Sequence, residues 1–239
     1  MWTAVGRRTI SGMRTLLPGA VSLLLAPPLL LAGVLLRLPH DLFFPAQLAA
    51  YASGPGRMFA AYSCFLLGVV ALWPGILLLA HRIGGGFGLW GGVLALFGLF
   101  ARAFHAGVDH LAFQLVRVLG QDTATRVIAD SYGAYHVLRV CTVPMIFGWV
   151  VLAIGAWRSR ALGRVGAVAL GAMTAMPVGV LKGTEWLSVV AAVGLCVALV
   201  PLGVRVLREC RWPAPAVVVR WSVVGAGSVA AMYFLGQAG

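Results

Sequence analysis

The chain has 239 residues, 61% of them hydrophobic and 10% charged, and its mean hydropathy is +0.97. A soluble domain of ordinary make-up carries about 25% charged residues, so a water-solvated globular fold is excluded. Eighteen Lys and Arg stand against six acids, for a formal net charge of +12; these basic residues flank apolar spans, which points to topology and anionic lipid rather than nucleic acid.

Seven apolar segments follow one another at about 16–36, 58–80, 87–108, 133–157, 162–181, 186–207 and 216–235, each near the roughly 20 residues a helix needs to cross a bilayer. The start, "MWTAVGRRTISGMRTLLPGAVSLLLAPP", has the basic head and apolar run of a signal peptide. No small-residue cleavage site follows and the run is long enough to span, so it is expected to stay as the first helix. Pro27 and Pro28 are expected to kink that helix, while Pro74, Pro144, Pro177 and Pro201 lie within or near the ends of others. Such breaks are tolerated where neighbours satisfy the freed backbone groups. The third and fourth segments are expected to extend through "HLAFQLVRVLG" and "ATRVIADSYGAYH". The 31 glycines suit close helix packing. No linker is long enough to divide the chain, so residues 1–239 read as one integral-membrane domain, an all-α helical bundle with about seven transmembrane helices.

Basic residues orient the bundle. A cytoplasmic N-terminus places eleven Lys and Arg inside and five outside (Arg37, Arg57, Arg117, Arg126 and Lys182), which predicts an outward C-terminus and a multi-pass protein of the bacterial cytoplasmic membrane. The same topology sends Asp41, Asp109, Asp122, Asp130 and Glu185 toward the outer side and leaves Glu209 alone among inner arginines. Four cysteines (Cys64, Cys141, Cys196 and Cys210) show no CxxC spacing, and three fall inside apolar segments, as small buried residues do.

Three polar stretches interrupt this apolar pattern. In "RAFHAGVDHLAFQLVR", Arg102, His105 and Asp109 share one helix face, continued by Phe113 and Arg117, whereas His110 is turned away by about 100°. Ionisable groups in hydrocarbon are costly, so these should face the bundle interior; a purely structural pairing that fixes helix packing is the alternative. In "DSYGAYHVLR", Asp130 is followed by Tyr132, Tyr135, His136 and Arg139 at helical spacing, with an interfacial aromatic belt as the plainer explanation. "LKGTEW" places Lys182, Thr184, Glu185 and Trp186 in a loop on the same side. A carboxylic acid held in an apolar cavity keeps its proton because the charged form loses hydration, and it then serves as a general acid. Aromatic rings stabilise a nearby cation. Opposing bases such as Arg102 would work against the acid role.

In length, span number and the segments "FHAGVDHLAFQLV", "SYGAYHVL" and "GVLKGTEW", the chain resembles the short integral-membrane terpene cyclases of actinobacteria. Those enzymes form drimane-type skeletons from farnesylated indoles and related prenylated compounds. The resemblance implies protonation-initiated cyclisation through an embedded carboxylic acid without loss of diphosphate, no cofactor, and a lipophilic prenylated substrate. The absence of a DDxxD metal signature agrees with this chemistry. Position ranks Asp109 first as proton donor, then Glu185 and Asp130, with Arg102, His105, Phe113, Tyr132, Tyr135, His136, Arg139, Lys182 and Trp186 as substrate-binding or tuning residues.

Other classes are weaker. "GVDHL" resembles part of a nickel-permease signature, and imidazole with carboxylate suits such a metal, so a permease for a divalent metal or another small solute is the alternative function. The fuller pattern, with a nearby His-Pro segment, is missing. A two-haem cytochrome needs four placed histidines, and His40 and His81 sit at loop edges on opposite sides. No G-x-S-x-G appears, and "IGGGFG" lacks the Lys of a phosphate loop. A scaffold without enzymatic activity does not explain five of six acids on one side.

Overall fold

The computed structural model describes residues 3–131, 140, 142–177, 179–210 and 214–238, with side-chain surroundings from Leu16 to Gln237, and every regular element among them is helical. In chain order these are α1 (Thr3–Arg37), α2 (Phe44–Ser53), α3 (Pro55–Ala71), α4 (Trp73–Ile83), α5 (Gly85–Leu119), α6 (Gln121–Ser131), α7 (Thr142–Arg158), α8 (Arg164–Gly171) with a 3-10 turn at Ala172–Ala175, α9 (Trp186–Glu209) and α10 (Pro215–Ala238). Five stretches are long and apolar enough to cross a membrane: Leu16–Arg37, Pro55–Ile83 across α3 and α4, Gly85–Leu119, Trp186–Glu209 and Pro215–Gln237. The other two predicted segments form shorter apolar helices, Thr142–Arg158 and Arg164–Ala175.

The third segment does extend beyond a simple span, since α5 runs unbroken for 35 residues. The stretch "ATRVIADS", expected to extend the fourth segment, is helical as α6, set off from α5 by Gly120 at φ 81°, a conformation that favours glycine; residues 132–139, which lead on toward α7, lie outside the described residues. Pro27 and Pro28 lie within α1, which is helical throughout. A break in the helix occurs at Leu72, just before Pro74, between α3 and α4. There Ser22 of α1 repairs the backbone: its hydroxyl donates to the Ala71 carbonyl at 2.5 Å and accepts the Gly75 N–H at 2.8 Å. Ser22→Ala should therefore lower stability by roughly 1–3 kcal/mol, the cost of buried backbone groups left unpaired, read as a lower melting temperature in detergent.

The core is assembled by α1 against α3 and α9, and by α5 against α7. Leu23, Leu30, Leu72, Ile76, Leu79, Leu99, Trp149 and Leu195 are buried together there. In a bilayer, close packing rather than escape from water favours such contacts. At Gly148 of α7, an added Cβ would come within 2.5 Å of the Ala95 backbone nitrogen and 2.8 Å of the Leu94 carbonyl carbon. Gly148→Ala must push two backbones apart and should cost about 1–3 kcal/mol, measured by thermal unfolding. By contrast, α10 buries none of its span against the rest of the chain.

At one end of the bundle the helices give way to a layer of shorter elements. Arg37 ends α1, α2 follows a short loop, and the segment 176–185 connects the 3-10 turn to α9. A second apolar cluster here joins Leu48, Met58, Tyr62, Ala112, Phe113, Val116, Ala124, Ile128 and Leu181.

Candidate functional site

The predicted face of α5 is buried as expected: Arg102, His105 and Asp109 are 8%, 8% and 6% exposed. Phe113 is buried one further step along, whereas Arg117 is exposed where α5 runs past the core. The polar face meets the irregular stretches 176–177 and 179–185. Two Arg102 nitrogens donate to the carbonyls of Pro177 at 3.1 Å and Met176 at 3.2 Å. The Asp109 carboxyl accepts the Leu181 N–H at 2.5 Å. Leu181 has φ 49°, a left-handed conformation that an L residue with a side chain rarely adopts. That strain persists because Asp109 holds the amide and the Leu181 side chain is fully buried.

Arg37 completes this bracing from α1. Its side chain is buried and donates to the carbonyls of Gly33 and Lys182, both at 3.2 Å. Its guanidinium carbon lies 4.6 Å from the ring centres of both Tyr62 and Phe65, a cation held on two aromatic faces. Tyr62 in turn donates to Gln47 at 3.1 Å, and Gln47 donates to the Asp41 carbonyl at 2.5 Å. The Gly183 N–H bonds the Leu42 carbonyl at 2.8 Å. Buried non-helical backbone must find its hydrogen-bond partners within the protein, and here buried Arg37, Arg102, Asp109 and Gln47 supply much of that satisfaction.

These groups enclose a cavity of about 30 Å³ lined by Arg37, Phe65, Arg102, His105, Asp109, Lys182 and Ser188, among others. That space suits about one water molecule. The neighbouring aromatic wall is formed by Phe113, which stacks on Tyr51 at 4.6 Å and meets Tyr62 edge-on at 4.8 Å.

Other candidates lie elsewhere. Glu185 is exposed and caps α9: its carboxylate accepts the Ser188 N–H while the Ser188 hydroxyl accepts the Glu185 N–H. Asp130 is exposed on α6. Neither carboxylate lines the cavity. Lys182 does line it, with its ammonium 4.3 Å from the Phe43 ring centre. Trp186 is exposed beside an open apolar groove between α8 and α9. Tyr132, Tyr135, His136 and Arg139 lie outside the described residues. His110 is exposed, and no three His, Cys, Asp or Glu side chains among the described residues converge as a metal-holding group.

Arg37 and Tyr62 are the site residues that sequence reasoning missed. Arg37 ends an apolar span, where a basic residue ordinarily marks topology, and nothing local separates the two roles. Tyr62 sits in an apolar run without any polar neighbour in register.

The chain matches no protein-family model, no curated protein and no solved structure.

Proposed function

We propose that this chain is a membrane-embedded terpene cyclase in which Asp109 protonates an alkene of a prenylated, lipophilic substrate. The observation that carries this reading is the burial of Asp109 on the wall of a cavity that Phe65 also lines, with Phe113 buried one helical turn further along α5. Asp109 is the only buried acid of the six in the chain. Proton transfer to the distal alkene forms a C–H bond and leaves a tertiary carbocation. Attack by the next alkene closes a C–C bond, and loss of a proton from the final cation restores a double bond. One proton enters and one leaves, so the product is an isomer of unchanged mass, and no co-reactant is consumed.

Chain entry needs more room than 30 Å³. Displacing the strap 179–185 from α5 breaks the Leu181–Asp109 hydrogen bond and turns the carboxyl toward the incoming alkene. In the proposed topology the chain crosses the bacterial cytoplasmic membrane seven times, with the shorter helices α7 and α8 included. Its N-terminus is cytoplasmic and the site lies in the outer half.

Membranes containing the protein, incubated with a farnesylated indole and then a panel of other prenylated aromatics, should yield a cyclised isomer seen as a new chromatographic peak of unchanged mass. Complete recovery of every linear substrate would reject the proposal.

A further inference from the structure

We propose that the cavity between Arg37, Arg102 and Lys182 is an anion-binding site, taking a single small anion or the charged oxygen group of an anionic headgroup. The inference concerns charge balance and stands apart from the cyclase reading. Two guanidiniums, 4% and 8% exposed, share this space with a single buried acid, and half-buried Lys182 also lines it, with its ammonium over the neighbouring Phe43 ring. His105 lines the same space and adds no negative charge. Every other acid is accounted for elsewhere: Asp41, Asp122, Asp130 and Glu185 are exposed, and Glu209 is exposed and paired with Arg82.

Uncompensated buried charge is costly. The carbonyls of Gly33, Met176, Pro177 and Lys182 satisfy some guanidinium donors, yet they bring dipoles and no net charge. A guanidinium has five N–H groups; the hydrogen bonds to these carbonyls engage two on each arginine, and Arg37 is also held by the Tyr62 side chain and the Phe65 ring. The cavity is the size of one small ion, and the Ser188 hydroxyl, on its wall, adds a polar contact. Adjacent Thr184 is 5% exposed, and its hydroxyl has no partner among the described residues.

The test uses the purified full chain in nanodiscs of zwitterionic lipid, with chloride replacing gluconate at constant ionic strength. Gluconate is too large for the cavity. The melting temperature should rise saturably with chloride. Lys182→Gln should need about tenfold more chloride for half-saturation, the usual weight of one charge-assisted contact. This variant keeps the backbone carbonyl that braces Arg37, so its fold is retained. In phosphatidylglycerol nanodiscs, a high melting temperature already independent of chloride would identify the headgroup as the occupant; a retained chloride response would identify the free ion. Identical melting in chloride and gluconate in both lipids would overturn the proposal. So would a Lys182→Gln variant with the wild-type chloride response. Neither result bears on whether a prenylated substrate is cyclised.

Discussion

Replacing Asp109 with Asn is expected to leave the protein folded and to cut formation of the cyclised isomer by roughly a hundredfold or more, the usual weight of a positioned general acid. Asparagine keeps an acceptor oxygen where the carboxylate takes the Leu181 N–H, so the left-handed turn at Leu181 and the strap beyond it stay in place. What disappears is the acidic proton. Asp109→Leu provides the contrast, because it removes the acceptor as well. It leaves a buried amide unpaired at a cost of about 1–3 kcal/mol, so both melting temperature and activity should fall. Product analysis and thermal unfolding on the two variants therefore separate the chemical role of Asp109 from its structural one. Full activity in Asp109→Asn would remove Asp109 as the acid.

Arg102→Met should lower stability by about 3 kcal/mol. The side chain is 8% exposed and ties the Met176 and Pro177 carbonyls to α5 at 3.2 and 3.1 Å. Methionine fills most of the volume and satisfies neither carbonyl, and each unpaired buried acceptor costs about 1–3 kcal/mol. Loss of a buried positive charge offsets part of this. Lysine at the same position reaches one carbonyl well and lacks the fork that serves two, so Arg102→Lys should fall between Met and wild type. Thermal unfolding and protease sensitivity within 176–185 would measure the series. Equal stability in all three proteins would show that the strap is held by other contacts.

The two predictions rest on the same fact. The polarity of α5 performs a structural task before any chemical one, because it satisfies a stretch of backbone that leaves the helical path among membrane helices. A pairing between α5 side chains is the simplest structural account that spacing alone suggests. The partners found are instead main-chain groups of a segment more than 70 residues away.

Much of the fold is legible because its signals are local. Apolar run length sets the spans, and helical periodicity places Arg102, His105, Asp109 and Phe113 on one buried face of α5. The preference of glycine for positive φ accounts for the stop at Gly120. Other features depend on partners distant in sequence. The span holding Pro74 breaks just before it, at Leu72, whereas Pro27 and Pro28 sit inside a continuous helix, and the Ser22 hydroxyl that bridges the break comes from another helix. Glu185 and Asp109 are alike as carboxylates on one predicted side. Glu185 is drawn to the N–H groups at the start of α9, where a carboxylate is favourable, while Asp109 is buried by packing.

By itself, then, the sequence determined that this is a helical membrane protein and which face of its third span carries buried charge, since length, hydropathy and helical period act within one segment. Tertiary structure alone decided that Arg37 joins that face, that Glu185 and Asp130 stand away from it, and that the cavity is small and rich in cations. Those outcomes depend on how α1, α5 and the 179–185 strap meet in space, and no periodicity within a single helix encodes where another helix ends.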